Sequence, residues 1–175
     1  MSSFPTQIIV PIAVTIAMYY LNKQSRKDAS VDANGNVILL LPAFYGILGI
    51  GATSLGCGLL VLGLINFNAD DIKPIFGLFL LFAGLGTILI LYRYVYKVIL
   101  TPQSLIHRNL IGKYKYLDWS GIKTVDYGAV SMLLKVSDGN SKIGCHAHLI
   151  GFNELVSELE ECLGKTRAEM GIPVL

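Results

Sequence analysis

The run Cys145-His146-Ala147-His148 is the first place where chemistry is conceivable, because His146 and His148 on a strand project from one face and two imidazoles can share one ion. Two ligands do not make a site. His107 is a third donor only if the fold brings it near, and on a strand Cys145 points the other way. Two solvated histidines on a sheet face, with no metal and no other cofactor, are the simpler reading. A second set is basic: Arg108, Lys113 and Lys115 lie around one turn, and Arg93 and Lys97 precede them. These five residues form a candidate binding surface for anionic groups or for a partner, weighed against ordinary exposed charge. Nucleophilic catalysis needs an activated Ser or Cys with a base and an orienting acid, and the sequence offers no nucleophile elbow and no recognisable triad. The expectation is a protein that is not an enzyme.

The elements that must carry these residues follow from an uneven distribution of charge. Of the 175 residues 53% are hydrophobic and 15% charged, against roughly a quarter charged in a typical soluble protein. Residues 1–22, 37–69 and 74–92 contain no charged side chain at all. A spanning helix needs about 20 apolar residues, so 43–67 and 74–92 each read as a span, joined by a link so short that they turn back as a hairpin. Pro74 suits the first turn of the second helix. The first stretch, about 5–22, reads as a further span diluted by Thr6, Gln7 and Pro11, the alternative being an interfacial helix. A cleaved signal peptide is disfavoured, because Lys23, Arg26 and Lys27 follow the apolar run instead of preceding it.

Lys23, Arg26 and Lys27 on one side of the hairpin and Arg93 and Lys97 on the other place both flanks in the cytosol. The expected location is the cytoplasmic (plasma or inner) membrane, with the C-terminal domain cytosolic. Small residues four apart, Gly49/Thr53, Ala52/Gly56 and Ala83/Thr87, let helix backbones approach closely. Packing within the hairpin is the favoured use, homo-oligomerisation the other. The spans carry no ionisable group at mid-membrane, which argues against an ion pathway. A net charge of +2 without a Lys/Arg cluster argues against nucleic acid. Cys57, Cys145 and Cys162 are an odd set without CxxC spacing, so a disulfide framework is not expected and reduced thiols fit a cytosolic domain.

Asn34-Gly35 between short apolar runs signals a turn, with an extended piece at 37–41 that could pair with a C-terminal sheet before Pro42 stops it. From Tyr92 the texture becomes short β-branched and aromatic runs, predicting antiparallel strands at 94–100, 105–109, 114–119, 124–127, 132–137 and 142–147. Residues 152–170 return to helical period, with Phe152, Leu155, Val156, Leu159, Cys162 and Leu163 on one stripe and Gly151 at the cap. The domains are thus a transmembrane region, 1–92, and one small β domain, 93–175.

The run Leu100-Thr101-Pro102-x-Ser104-Leu105-Ile106-x-Arg108, then Leu117-x-Trp119-Ser120-x-Ile122-x-x-Val125, then Leu133 to Asp138-Gly139-x-x-Lys142-Ile143 and an amphipathic helix, resembles the bacterial pleckstrin-homology-like (bacterial PH) domain carried on membrane hairpins. The resemblance implies a PH-like bent antiparallel sheet or partly open barrel of about seven strands, capped by one C-terminal helix. It makes Trp119 and Ile122 core and Asp138-Gly139 a strand turn, and it implies no established activity. In eukaryotic relatives a basic hairpin can hold lipid headgroups, which is the lipid reading of Arg108, Lys113 and Lys115. The expected function is a non-catalytic membrane-anchored interaction module presenting its β domain to a protein or lipid partner. The alternative is an accessory subunit of a larger membrane complex assembled through the glycine-rich helices.

Overall fold

The computed structural model describes residues 4–65 and 72–173, apart from the side chains of 4–10, 13 and 14. The expected link between the two hairpin helices falls largely at 66–71, outside the described residues. In chain order the elements are α1 (Phe4–Ser25), β1 (Ser30–Val31), β2 (Val37–Leu39), α2 (Ala43–Ile65), α3 (Ile72–Tyr94), β3 (Lys97–Leu100), β4 (Ser104–Arg108), β5 (Tyr114–Asp118), a single 3-10 turn (Trp119–Gly121), β6 (Thr124–Gly128), β7 (Leu133–Ser137), β8 (Lys142–His146) and α4 (Phe152–Leu163). They divide into two compact units, one of residues 43–97 with 108–114, the other of 1–42, 98–107 and 115–175.

The first unit is built on α2 and α3, the two helices among the described residues that are long and apolar enough to cross a membrane. Only 11% and 6% of their most apolar stretches are buried, so these are not core helices of a soluble domain. They approach backbone to backbone. A Cβ at Gly49 would lie 2.7 Å from the Gly86 carbonyl oxygen, and one at Gly56 would lie 2.9 Å from the Ala83 nitrogen. Gly49, Gly56 and Gly63 recur every seven residues and so stay on one seam of α2. Gly51, Gly58, Gly77 and Gly84 face open space. Thr87 does not join the seam, its hydroxyl donating to the Ala83 carbonyl of its own helix at 2.7 Å.

The second unit holds two antiparallel sheets where the sequence predicted one. Their strand orders are β1-β2-β3-β4-β5 and β6-β7-β8. The break falls at the 3-10 turn, where Trp119 is pinned by its indole N–H donating to the Thr101 carbonyl at 2.8 Å and its amide to Gln103 at 3.1 Å. The chain leaves β5 there and cannot continue the first sheet. Trp119 is only half-buried, whereas Ile122 is buried as expected. The extended piece at 37–41 does pair with the C-terminal sheet: β2 runs antiparallel to β3, with Val37 opposite Leu100 and Leu39 opposite Val98.

The turns take their predicted residues. Gly35 adopts φ +81° while Asp32 Oδ1 accepts from the amides of Asn34 and Asn36. Gly139 adopts φ +97° while Asp138 Oδ1 accepts from Asn140 and Ser141. The Asn36 side-chain amide, donating to Asp32 Oδ2 at 2.9 Å, and then the backbone bonds hold the Asp32 carboxyl below its ordinary range, as the Ser141 and Asn140 amides do for Asp138.

Among the boundaries that differ from expectation, three matter most. Tyr94 ends α3 and β3 begins only at Lys97, because the helix continues through Arg93. The closing helix stops at Leu163, since Gly164 takes the left-handed conformation at φ +61° and ends it. The last strand stops at His146, so His148 lies in a turn. The core joins Leu39, Leu41, Val98, Leu105 and Leu117 of the first sheet and its approach to Leu134, Val136 and Ile143 of the second and to Phe152, Leu155 and Leu159 of α4, all essentially without exposure. Residues 27–40 also hold the start of α4: Ile150 donates to the Leu40 carbonyl, Gly151 to Lys27, and Ala29 to the Glu154 carboxylate.

Candidate functional site

The basic set is organised by the β4–β5 hairpin. Asn109 shapes its turn, accepting at Oδ1 from the amides of Ile111 (3.0 Å) and Lys113 (2.9 Å), while its own amide donates to the Lys113 carbonyl. Gly112 completes the turn at φ +83°, a conformation that costs other residues strain. Arg108 lies over the Tyr114 ring with its guanidinium carbon 5.6 Å from the centroid, within cation–π range. Lys113 is exposed and Lys97 half-buried, and Arg93 lies in the last turn of α3 against Gly46.

Connectivity decides where that turn sits. β3 and β4 are neighbours joined by a tight turn in which the Thr101 amide donates to the Ser104 carbonyl. β4 therefore runs back along β3, and Arg108 returns to the level of Lys97, three residues beyond the end of α3. Arg93, Lys97, Arg108 and Lys113 belong to the same compact unit as the apolar helices. Lys115 is engaged differently: it is in the other unit, where its amine donates to the Lys142 carbonyl at 3.4 Å.

The apolar half of this hairpin adds to the candidates taken from the sequence. Ile111 is 82% exposed at the tip, and Tyr94 and Tyr114 are exposed beside the basic residues. The signal was available, since Leu110-Ile111 occupies turn positions where polar residues are usual.

The histidine pair is a different arrangement from the one expected. The rings of His146 and His148 lie 4.9 Å apart, but His148 is buried in the turn and its amide donates to His146 Nδ1 at 3.3 Å. That acceptor role requires a neutral His146 with its proton on Nε2. Burial, then the neighbouring His148, push the His146 pKa down to about 4, and burial lowers that of His148. His107, lowered by burial and by Lys115, does not join them: among the described residues no three His, Cys, Asp or Glu side chains come together. Burial pushes the Cys145 thiol up to about 12, which leaves it an inert core side chain.

The pair makes a pH dependence predictable. Because His146 binds a proton less readily folded than unfolded, the unfolded state takes up more protons between pH about 6.5 and about 4. Stability present above the unfolded pKa is therefore lost as pH falls through that window, by on the order of 2 to 3 kcal/mol once both states are protonated. Chemical denaturation in detergent at a series of pH values measures it. His146→Asn, whose Oδ1 can accept the same amide, should flatten the profile.

No family model matches the chain, and no curated protein or solved structure matches it either. The class it defines is therefore stated from the fold of the described residues: two long apolar helices, two antiparallel sheets of five and three strands, and a closing helix.

Proposed function

We propose that this is a non-catalytic, membrane-anchored interaction module, in which α2 and α3 cross the membrane and the β domain, PH-like in kind, is held at the cytosolic surface to meet a protein or lipid partner. One observation carries the reading: α2 and α3 are apolar on all sides yet expose side chains such as Ile47, Leu62 and Leu81, which the hydrocarbon of a bilayer would cover. The pairing of β2 with β3 supports it further. β2 ends just before α2 and β3 starts just after α3, so the segments entering and leaving the hairpin are neighbours in one sheet. Anchoring raises the local concentration of the β domain near partners in the same membrane, which lets weak contacts suffice. Arg93, Lys97, Arg108 and Lys113 at the helix exit agree with a cytosolic face.

The native cysteines test this without new labels. Cys57 lies in α2 and Cys162 is exposed on α4, its thiol raised by partial burial and the Glu158 charge, so labelling is run above neutral pH. A membrane-impermeant maleimide should modify Cys162 in inverted vesicles but not in intact cells, and Cys57 in neither. Labelling of Cys57 without detergent would refute the anchor, and labelling of Cys162 in intact cells would reverse the orientation.

A further inference from the structure

We infer that the β4–β5 hairpin tip is a second, shallow membrane contact: Ile111 enters the headgroup layer of the bilayer that holds α2 and α3, with Arg108, Lys113 and Lys97 facing anionic headgroups. The inference rests on the membrane reading above and adds a lipid-contacting element outside the helices.

Position comes first. The chain leaves α3 at Tyr94 and starts β3 at Lys97, and β4 returns antiparallel so that the Asn109–Lys113 turn lies back at the helix exit. Neighbouring strands are about 4.8 Å apart, so the turn sits within roughly 10 Å of that exit. The polar layer on each side of the hydrocarbon is about 5 to 8 Å deep. The tip and the helices also form one compact unit.

Chemistry fits the position. An aliphatic side chain 82% exposed at a turn tip is poorly placed in water, and its hairpin also carries Arg108, Lys113 and the exposed Tyr114, while the exposed Tyr94 ends α3. Aromatic and basic residues around an apolar point are the composition of a bilayer interface. Basic residues beside the cytosolic leaflet each add attraction to anionic lipid. A protein partner for the same tip would call for no such level with the helix exit, so the bilayer is the occupant the topology favours. The turn is held by Asn109 and Gly112, which presents Ile111 without further ordering.

Tryptophan quenching tests it on the full chain reconstituted in vesicles of phosphatidylcholine and phosphatidylglycerol. The one native tryptophan, Trp119, is bonded to Thr101 at the other end of β4 and serves as the internal reference. Ile111→Trp should add blue-shifted emission, most of it lost when the phosphatidylcholine is brominated near the headgroup end of its chains and less when it is brominated at their ends. Leu85→Trp, in the middle of α3 and exposed there, should show the opposite order. If Leu85→Trp is quenched while Ile111→Trp emits as in water and is unquenched, the tip inference falls and the anchor stands. If Leu85→Trp is unquenched, both fall. A nitroxide on Ile111→Cys, with Cys57 and Cys162 replaced by serine, gives a second readout: greater collision with oxygen than with a water-soluble nickel chelate is expected, and the reverse overturns the proposal.

Discussion

Gly49→Val is expected to separate α2 from α3, at a cost of about 3 kcal/mol or more, because the new side chain meets backbone that cannot turn aside. Its Cβ alone would stand 2.7 Å from the Gly86 carbonyl oxygen and 3.0 Å from the Ile90 nitrogen. Neither atom can move without shifting α3 as a whole. Gly51→Val supplies the contrast. Nothing lies within 4 Å of its Cβ, so the same substitution two residues away should change stability by about 0.5 kcal/mol at most. Denaturant titration of the full chain in mild detergent, followed by far-ultraviolet circular dichroism and protease resistance, measures both. Equal losses would mean that the seam is not where the glycines place it.

A large loss of stability is also expected from Leu39→Ala, although Leu39 precedes both apolar helices. It has no exposure, pairs through β2 with Val98 of β3, and shares the core with Leu41 and the C-terminal strands. Removing such a side chain costs about 2 to 5 kcal/mol, depending on how far the cavity collapses. A fragment of residues 93–175 loses β1 and β2 altogether, leaving β3 as an unpaired edge and α4 without the backbone bonds from Lys27 and Leu40. That fragment should not fold alone. Co-expression with residues 1–42 should restore protease resistance if β2 is the missing part. Cooperative unfolding of the fragment by itself would contradict the assignment of Leu39 to the core.

These two expectations mark what local sequence can and cannot carry. The helices at 43–65 and 72–94, the turns at Asn34-Gly35 and Asp138-Gly139 and the cap at Gly151 were legible, because each depends on hydropathy or turn chemistry within a few residues. The basic residues of the candidate surface were legible as residue types. Their division was not: Arg108 stacks on Tyr114 while Lys115 reaches a carbonyl on β8, and both depend on the strands around them. From the sequence the two histidines read as solvated because strand alternation puts both on one face, whereas the chain turns after His146.

By itself, then, the sequence determined that two long apolar helices precede a set of short strands closed by an amphipathic helix, since periodicity and charge are properties of one segment at a time. Tertiary structure alone decided that the strands divide into two sheets, that Leu39 belongs to the core, that Gly49 and Gly86 face each other while Gly51 faces outward, and that the turn carrying Ile111 belongs to one compact unit with the apolar helices. Each of these is set by pairing between segments far apart in the chain, where the free energy lies in contacts that no single window contains.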